Sequence, residues 1–295
     1  MPDTYRPPTV QTKLVGTQSK KYEYNPPDDV PGQKYIVCYS GGHSSAICAV
    51  EATRRYGSDR VILLNHNINQ NVEDPDIKRF KEEVAAYLGI DITYANMDGV
   101  EVKDQFDICM ELGAFKYGIQ SSALCTRELK TKPFKRWLEE TFPAQPPQIR
   151  DDVTILYGFD PKETARIVRR SDSMTKLGYK TDFPLLWANR TIHNIEEIGI
   201  NRPKTYEIYR HANCIGCLKS GKQHWFCVYC LRKDIWEKAK HAEEVIGYSI
   251  LRKQYLKELE PEFEQLKQMK IQSTEKISPQ KFWAIVQKAI SDYEA

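Results

Sequence analysis

The sequence has no apolar run close to the roughly 18 residues that a membrane-spanning helix needs. Its N-terminal stretch is polar and proline-rich, with no apolar signal region. It also lacks the GxGxxG dinucleotide fingerprint and the lysine-bearing P-loop motif. The net charge of +3 on 295 residues is mild and does not demand a nucleic-acid partner. We therefore expect a soluble, cytoplasmic protein with no membrane partner, and its oligomeric state stays open.

The chain has eight cysteines, and none of them follows Cys230. The cytosol keeps thiols reduced, so cysteines in such a protein predict metal binding or thiol chemistry more than disulfides. Cys38, Cys48 and Cys109 lie in apolar patterns typical of packed elements, and we expect them in the core.

Short apolar runs alternate with helical patterns from residue 35 to residue 170. The runs at 35–39, 60–65, 91–95 and 153–159 predict strands, and the patterns at 45–57, 76–88, 126–140 and 162–170 predict helices. This alternation predicts an α/β fold with parallel strands. Along the chain we expect an extended or disordered arm at 1–33, an α/β nucleotide-binding domain at 34–200, and a cysteine-rich segment with two or three helices at 201–295.

A glycine turn, SGGHSS, joins the first predicted strand to the first predicted helix. Ligands of parallel α/β sheets bind at the carboxyl ends of strands, where a glycine turn and a helix start present backbone N–H groups to an anion. The turn would supply positive φ at Gly41 and Gly42, hydroxyl donors at Ser40, Ser44 and Ser45, and a charge-assisted donor at His43. The alternative is a turn that only connects strand to helix.

Two Cys-x2-Cys pairs lie in the cysteine-rich segment, Cys214 with Cys217 and Cys227 with Cys230. Two such pairs are typical of zinc or of an iron–sulfur cluster. However, HWFCVYC is aromatic and predicts a strand, in which Cys227 and Cys230 would point to opposite faces. Val228 and Tyr229 are also poor turn residues. Buried thiols that act only as small apolar groups remain an alternative.

Several segments together resemble one known family. SGGHSS resembles the SGGxDS loop of PP-loop ATP pyrophosphatases. Between residues 35 and 235, the chain resembles the phosphoadenosine phosphosulfate reductase family, including its members on phage and mobile elements. The segments that carry this resemblance are LLNHNIN, CTRELKTKPFKRWL (125–138), GFDPKETARIVRR (158–170) and the stretch from FPLLW to CIGC (183–217). The resemblance implies an adenine nucleotide α-hydrolase-like fold, an α/β core around a twisted parallel sheet.

The resemblance also implies a binding site for ATP or another adenylyl nucleotide with Mg²⁺. Its expected binding residues are the loop residues Ser40, Gly41, Gly42, His43, Ser44 and Ser45, together with Asn65, Asn67, Gly158 and Arg166. Arg166, Glu163 and His43 are the expected catalytic residues, with Glu163 fixing either Arg166 or a backbone turn.

Two departures from the family pattern bear on the magnesium ion. Ser44 stands where the family loop usually has an acid, and the second strand ends in Asn65-His66-Asn67 where relatives often have Asp. Mg²⁺ prefers oxygen ligands, so these changes put ATP cleavage in question more than nucleotide binding. Asp98, Asp104 or Asp160 are the substitutes that the sequence offers.

The family layout implies a second set of metal ligands, in which a cysteine-led helix and a later Cys-x2-Cys converge on a [4Fe–4S] cluster. That set is Cys125, Cys214, Cys217 and Cys230, with Cys227 as an alternative ligand and zinc as an alternative metal. The family's cluster-bearing reductases have adjacent cysteines at the first position, whereas this chain has Leu124 before Cys125.

Three functions follow as expectations from the resemblance. The first is ATP-dependent adenylation with sulfur transfer to a nucleic-acid or small-molecule acceptor. The second is sulfonucleotide reduction, which the absence of a cysteine after Cys230 disfavours. The third is a non-catalytic module that binds an adenylyl nucleotide. One segment of the chain is basic and contains Arg127, Lys130, Lys132, Lys135 and Arg136. Its positive charge would suit a nucleic-acid or a small-molecule acceptor. The alternative is an ordinary solvated helix face.

Overall fold

A five-stranded parallel sheet forms the α/β part of the structure, a computed structural model that describes residues 24–96, 102–117 and 123–294. The strand order is β3-β2-β1-β4-β5 and every pairing is parallel. The strands are β1 (Lys34–Cys38), β2 (Val61–Asn65), β3 (Ile92–Tyr94), β4 (Val153–Leu156) and β5 (Lys180–Asp182). The parallel α/β class predicted from the sequence is therefore confirmed, and so are four of the strands.

Ten α-helices are described, and three of them begin within two residues of the helices predicted at 45–57, 76–88 and 162–170. They are α1 (His43–Tyr56), α2 (Pro75–Leu88), α3 (Gln105–Glu111), α4 (Leu124–Thr126), α5 (Lys132–Thr141), α6 (Thr164–Thr175), α7 (Lys222–Leu231), α8 (Lys233–Ile246), α9 (Leu256–Gln268) and α10 (Pro279–Glu294). In the part of the chain that the structure describes, none of them is long and apolar enough to cross a membrane.

The described chain divides into two compact units that alternate along the sequence. The sheet unit takes the described residues up to Asn65, with Arg79–Ala95 and Arg136–Arg202. The helical unit takes His66–Lys78, the described residues from 96 to Lys135, and those from Pro203 onward. The sequence analysis predicts domains that are each one continuous stretch of chain, whereas each unit combines three separate segments. Only the end of the sheet unit at Arg202 falls near the predicted boundary at 200.

The core of the sheet unit is made by β1 and β2 with the apolar face of α1. Ile36 and Val37 are fully buried, as expected for a central parallel strand covered on both faces. A buried carboxylate, Glu51 of α1, accepts hydrogen bonds from the backbone N–H groups of Thr191 and Ile192 at 2.6 and 2.8 Å. Burying that charge is tolerable because these donors replace its water, and the bonds hold the 191–192 segment against α1.

β5 was not predicted, because its sequence, KTD, carries no apolar signal. Its last residue, Asp182, is buried and accepts hydrogen bonds from the Tyr24 hydroxyl, the Trp187 indole and the Phe183 backbone at 2.8, 3.0 and 2.7 Å. Burial raises the pKa of Asp182, and these donors partly offset the shift. A polar strand is stable at this edge because its carboxylate has three partners.

The core of the helical unit is aromatic and centres on α7. Trp225, Phe226, Trp236 and Phe263 are all fully buried, and Phe226 packs against Phe263 with ring centroids 5.4 Å apart. The prediction that HWFCVYC forms a strand is wrong, since the segment is the middle of α7. Helix packing against α8 and α9 buries this segment nearly all round, so tertiary contacts override its β propensity.

The basic segment 124–141 is helical throughout but changes its hydrogen-bond pattern. Arg127–Thr131 form a π-helical turn, in which the Lys132 N–H donates to the Arg127 carbonyl. Pro133 lies two residues beyond this turn; it has no N–H, and its ring crowds the carbonyl four residues back. A wider turn just before the proline is therefore the local solution.

Candidate functional site

The SGGHSS loop lies at the topological switch point of the sheet. β1 is followed in the chain by β2 on one side, while β4 on its other side is followed by β5, so the strand order reverses between β1 and β4. Ligands of open α/β sheets bind in the crevice outside the carboxyl ends of the strands at such a point. The segments that leave β1 and β4 there are Tyr39–Gly42 and Tyr157–Phe159.

Gly158 brings those two segments into direct backbone contact. A Cβ atom added to Gly158 would lie 2.5 Å from the Ser44 carbonyl oxygen and 2.9 Å from the Ser45 nitrogen. Distances below 3.0 Å to backbone atoms cannot be relieved by rotating a side chain. The position therefore needs glycine for close approach, and the contact fixes the loop against the end of β4.

The loop uses only one of its two glycines for positive φ. Gly41 has φ +78°, whereas Gly42 is the N-cap of α1 in an extended conformation with φ −87° and ψ 157°. The Ser40 hydroxyl donates to the Ser45 hydroxyl at 3.3 Å, and the Ser45 hydroxyl donates to the Gly42 carbonyl at 2.8 Å. These two hydroxyls thus shape the loop, and are already bonded to it.

The first turn of α1 has no side-chain cap and no acidic residue. The first N–H groups of a helix have no partner within the helix, and the helix dipole places a partial positive charge there. An anion beside the loop would meet both features. The turn therefore has part of the backbone geometry expected of a phosphate-binding turn, namely the positive φ of Gly41 and an uncapped helix start, and the donors there are mainly main-chain N–H groups.

His43 begins α1 as a neutral ring at pH 7. Burial, and then the positive charge of Arg202, lower the pKa of His43 to about 4. The Ile195 N–H donates to its Nε2 at 3.3 Å, so that ring nitrogen acts as an acceptor. The charge-assisted hydrogen bond expected from the sequence therefore does not form at neutral pH.

Glu163 was expected to fix either Arg166 or a backbone turn, and it contacts both. Its Oε1 lies 2.6 Å from the Arg166 Nη1, and its Oε2 accepts the Asp160 N–H at 2.9 Å. The Arg166 guanidinium also lies 4.0 Å above the Phe159 ring centroid. Arg166 is nevertheless 56% exposed, so its other N–H groups can meet a ligand while Glu163 and Phe159 hold its position.

Asn65 was expected to bind the nucleotide, but its side chain is hydrogen-bonded within the sheet unit. It is buried, its amide nitrogen donates to the Tyr39 carbonyl, and its Oδ1 accepts from the Lys81 ammonium at 3.4 Å. Lys81 is itself buried, so the Asn65 amide links the end of β1 to a buried cation. Its role in the structure is to position the start of the loop.

Asn67, the other expected amide, belongs to the helical unit. Its N–H and carbonyl pair with the Asn96 side chain at 2.8 and 2.9 Å. It also lines a cavity of about 330 Å³ with Asn69, Gln70, Asn71 and Lys78 among its other walls. The cavity is polar and amide-rich.

The acids that were expected to replace Ser44 as metal ligands have other roles. Asp104 caps α3 through the Phe106 and Asp107 N–H groups, and lies 2.7 Å from the Lys238 ammonium. Asp160 is exposed, and its Oδ1 accepts the Lys162 N–H at 2.9 Å. Asp98 lies outside the described residues.

Three of the four predicted metal ligands line one cavity of the helical unit, which we call the thiol cavity. Cys125, Cys214 and Cys217 surround about 50 Å³ together with Lys130 and Gln105. The negative charges of thiolates, that of Cys214 foremost, raise the pKa of the Lys130 ammonium. Lys130, expected on a solvated helix face, thus lies among the thiols.

Cys230 and Cys227 have surroundings of a different kind. Cys230 lies on α7, where its charged neighbours are Lys267 and Glu264 of α9. Cys227 is fully buried in the aromatic core. Among the residues that the structure describes, no group of three or more His, Cys, Asp or Glu side chains has an arrangement that could hold a metal ion. The described donors do not fit a four-cysteine site, so the predicted cluster or zinc stays a prediction from the sequence.

Cys109, expected only as a core residue, is hydrogen-bonded to Cys125. It is fully buried, whereas Cys125 is half-buried. The hydrogen bond from Cys109, followed by the charges of Lys219 and Lys130, lowers the pKa of Cys125, while the same bond raises that of Cys109. The two thiols are 16 residues apart in the sequence and no motif joins them, so sequence patterns gave no signal for this pair.

Comparisons with known proteins do not assign the chain to a family. No protein-family model matches the chain, and no curated protein matches it at a significant level. The likeness of SGGHSS to the PP-loop therefore stays a resemblance.

The contact at Gly158 predicts that this position rejects any side chain. We expect Gly158→Ala to lower the free energy of unfolding by about 1–3 kcal/mol, the usual effect of overpacking. Gly221→Ala is the matched control, because nothing lies within 4 Å of an added Cβ there. Urea unfolding of both variants measures the difference. Equal stability of Gly158→Ala and Gly221→Ala would contradict the close contact.

The depressed pKa of His43 predicts a pH dependence of stability. Because the unfolded chain takes up a proton near pH 6.5 and the folded chain only near pH 4, stability should fall as the pH drops through this window. His43→Gln should flatten the fall, whereas His241→Gln, an exposed change on α8, should not. Urea unfolding between pH 4 and pH 7 measures it, and the same slope in both variants would refute the shift.

Proposed function

We propose that the protein is a PP-loop-type enzyme that adenylates an acceptor with ATP and then transfers sulfur to it. The observation that carries the nucleotide-binding part is the fixed SGGHSS turn at the switch point, with Gly158 pressed against it. A rigid turn followed by an uncapped helix start is suited to phosphate. The sulfur-transfer part is supported by the hydrogen-bonded thiols of Cys125 and Cys109.

The adenylation step follows the chemistry of the resembled enzymes. An acceptor oxygen attacks the α-phosphorus of ATP, the α–β bond breaks, and pyrophosphate leaves. In this proposal the first-turn N–H groups of α1 hold phosphate oxygens, and Arg166 meets charge that develops on the transferred group. Glu163 and Phe159 keep the guanidinium in place for that role. No described carboxylate is assigned to Mg²⁺.

The sulfur-transfer step uses the two cysteines in sequence. A persulfide donor first places a sulfane sulfur on Cys125, whose lowered pKa favours the thiolate. The persulfide attacks the adenylated carbon and AMP leaves with the former acceptor oxygen. The sulfur of Cys109 then attacks the Sγ of Cys125, the bond between that Sγ and the transferred sulfur breaks, and the Cys109 proton passes to the departing acceptor sulfur. The acceptor keeps the new thiol, a Cys109–Cys125 disulfide remains, and an external dithiol reduces it.

This proposal is independent of any metal. The thiol cavity has about 50 Å³ and three cysteines around an ammonium group, so no step is assigned to a cluster or to zinc. The main competing function is sulfonucleotide reduction. It would release sulfite from adenylyl sulfate or its 3′-phosphorylated form in the presence of thioredoxin, whereas adenylation releases AMP and pyrophosphate.

The loop proposal predicts a nucleotide-dependent gain in thermal stability that one glycine controls. ATP at 100-fold over its Kd should add about 2.7 kcal/mol to the wild type. Gly42→Val should remove this gain, because the branched side chain would stand where the phosphate approaches, while the extended backbone of Gly42 accepts valine. Differential scanning fluorimetry with and without ATP measures both effects.

Gly221→Val is the matched control for this experiment. Gly221 is also an extended, uncapped helix N-cap, with φ −90° and ψ −178°. Both variants should lose similar stability without ligand, and only Gly42→Val should lose the ATP response. A full response in Gly42→Val would place the nucleotide elsewhere, and robust sulfite release by the wild type would favour the reductase.

The thiol pair predicts that Cys125 is the most reactive cysteine and depends on Cys109. Cys109→Ala removes the hydrogen bond that stabilises the thiolate, so iodoacetamide should alkylate Cys125 several-fold more slowly at pH 7. Cys230→Ala, which changes a thiol beside Lys267, should leave the rate unchanged. Peptide mapping by mass spectrometry gives both rates. Equal alkylation rates in the two variants would rule out the pair as the source of reactivity.

A further inference from the structure

Besides the amide-rich cavity at Asn67 and the thiol cavity, the helical unit has a third cavity, which is basic. It has about 330 Å³, within the usual size range of small-ligand sites. Its walls include Phe115, Lys116, Lys219, Tyr248 and Arg252. Of the described residues that line it, three are basic and none is acidic. We call it the basic cavity.

The three cations of the basic cavity have no carboxylate partner among the described residues. Lys116, Lys219 and Arg252 are all exposed, and none takes part in an ion pair within the described part of the chain. Some other cations of the helical unit do have a carboxylate partner, such as Lys238 with Asp104 at 2.7 Å. Three unpaired like charges around one concave surface raise the local concentration of anions.

One wall of the basic cavity is an aromatic ring held in a fixed position. The Tyr248 hydroxyl accepts the Phe115 N–H at 2.6 Å and the Lys116 N–H at 3.3 Å. Its ring also meets the Phe115 ring edge-on, with centroids 5.4 Å apart. Because both ends of the side chain are fixed, the ring offers a flat apolar surface with little entropy left to lose on binding.

We propose that the basic cavity binds a nucleotide unit, with the phosphate among Lys116, Lys219 and Arg252 and the base against Tyr248. Cations beside an aromatic surface match a ligand that is anionic at one end and planar at the other. The unit could be a free mononucleotide or one residue of a single-stranded nucleic acid. These sources share the same chemistry, and the experiment below distinguishes them.

The basic cavity and the thiol cavity share Leu218 and Lys219 as wall residues. A nucleotide in the basic cavity therefore lies beside the thiol cavity, whose lining includes Cys125, and we assign its base the role of sulfur acceptor. This role as acceptor site rests on the proposed sulfur transfer, whereas the binding itself does not.

The test is the binding of a fluorescein-labelled short single-stranded RNA and of AMP, each to the Gly42→Val protein, in which the loop site is blocked. Fluorescence anisotropy measures the RNA and calorimetry measures AMP. Lys219→Glu and Arg252→Glu should each weaken binding at least tenfold. For RNA, each should also lower the slope of log affinity against log salt by about 0.7. Lys288→Glu, an exposed change of equal charge on α10, should have little effect.

Tyr248→Ala separates stacking from charge. It should weaken RNA and AMP by about 5- to 150-fold, the usual effect of removing a base-stacking aromatic, but leave inorganic pyrophosphate binding unchanged. Charge-sensitive binding of RNA alone identifies nucleic acid as the source, and equally sensitive binding of AMP identifies the free nucleotide.

Three results would overturn the proposal: no binding of either ligand, unchanged affinity in Lys219→Glu and Arg252→Glu, or an equal loss in Lys288→Glu. Failure of the proposed enzyme function is distinguishable, because it would appear as no pyrophosphate release by the wild type while charge-sensitive binding persists.

Discussion

The close approach of Gly158 to the Ser44 carbonyl is the constraint on which the geometry of the loop depends. β1 and β4 are parallel, hydrogen-bonded neighbours, so the segments that leave their carboxyl ends start side by side. Here they touch, at a distance that excludes even a methyl group. The loop therefore cannot relax toward β4, and its turn is taken up by the positive φ of Gly41. The N–H groups at the start of α1 are oriented before any ligand arrives, so little ordering entropy opposes binding.

In the helical unit, opposite charges around the thiol cavity stabilise one another. Lys130 lies among Cys125, Cys214 and Cys217, and negative charge on these sulfurs, that of Cys214 foremost, raises the pKa of its ammonium. The same ammonium opposes the burial that raises the pKa of Cys214. Each group thus reduces the desolvation cost of the other. Cys125 also accepts a hydrogen bond from the thiol of Cys109, and this bond is the main factor that lowers its pKa.

The sequence predicted what depends on local pattern, namely four strands, their parallel α/β class and the loop after β1. It did not predict β5, since a short polar strand is stabilised by the partners of Asp182 and not by apolar residues. The strand expected in HWFCVYC failed because burial on all sides outweighs β propensity. The Cys109–Cys125 pair and the neutral state of His43 depend on tertiary contacts, which no single-sequence spacing reveals.

The two anion sites proposed for this chain differ in how they would attract an anion. At the loop, the donors are backbone N–H groups and a partial helix charge, His43 is neutral at pH 7, and Arg166 already shares its charge with Glu163. Such a site selects by shape and directed hydrogen bonds, which salt screens weakly. The basic cavity has three unpaired cations and few fixed donors, so its attraction is long-range and strongly reduced by salt. Rising ionic strength should therefore release a ligand from the basic cavity before it releases one from the loop.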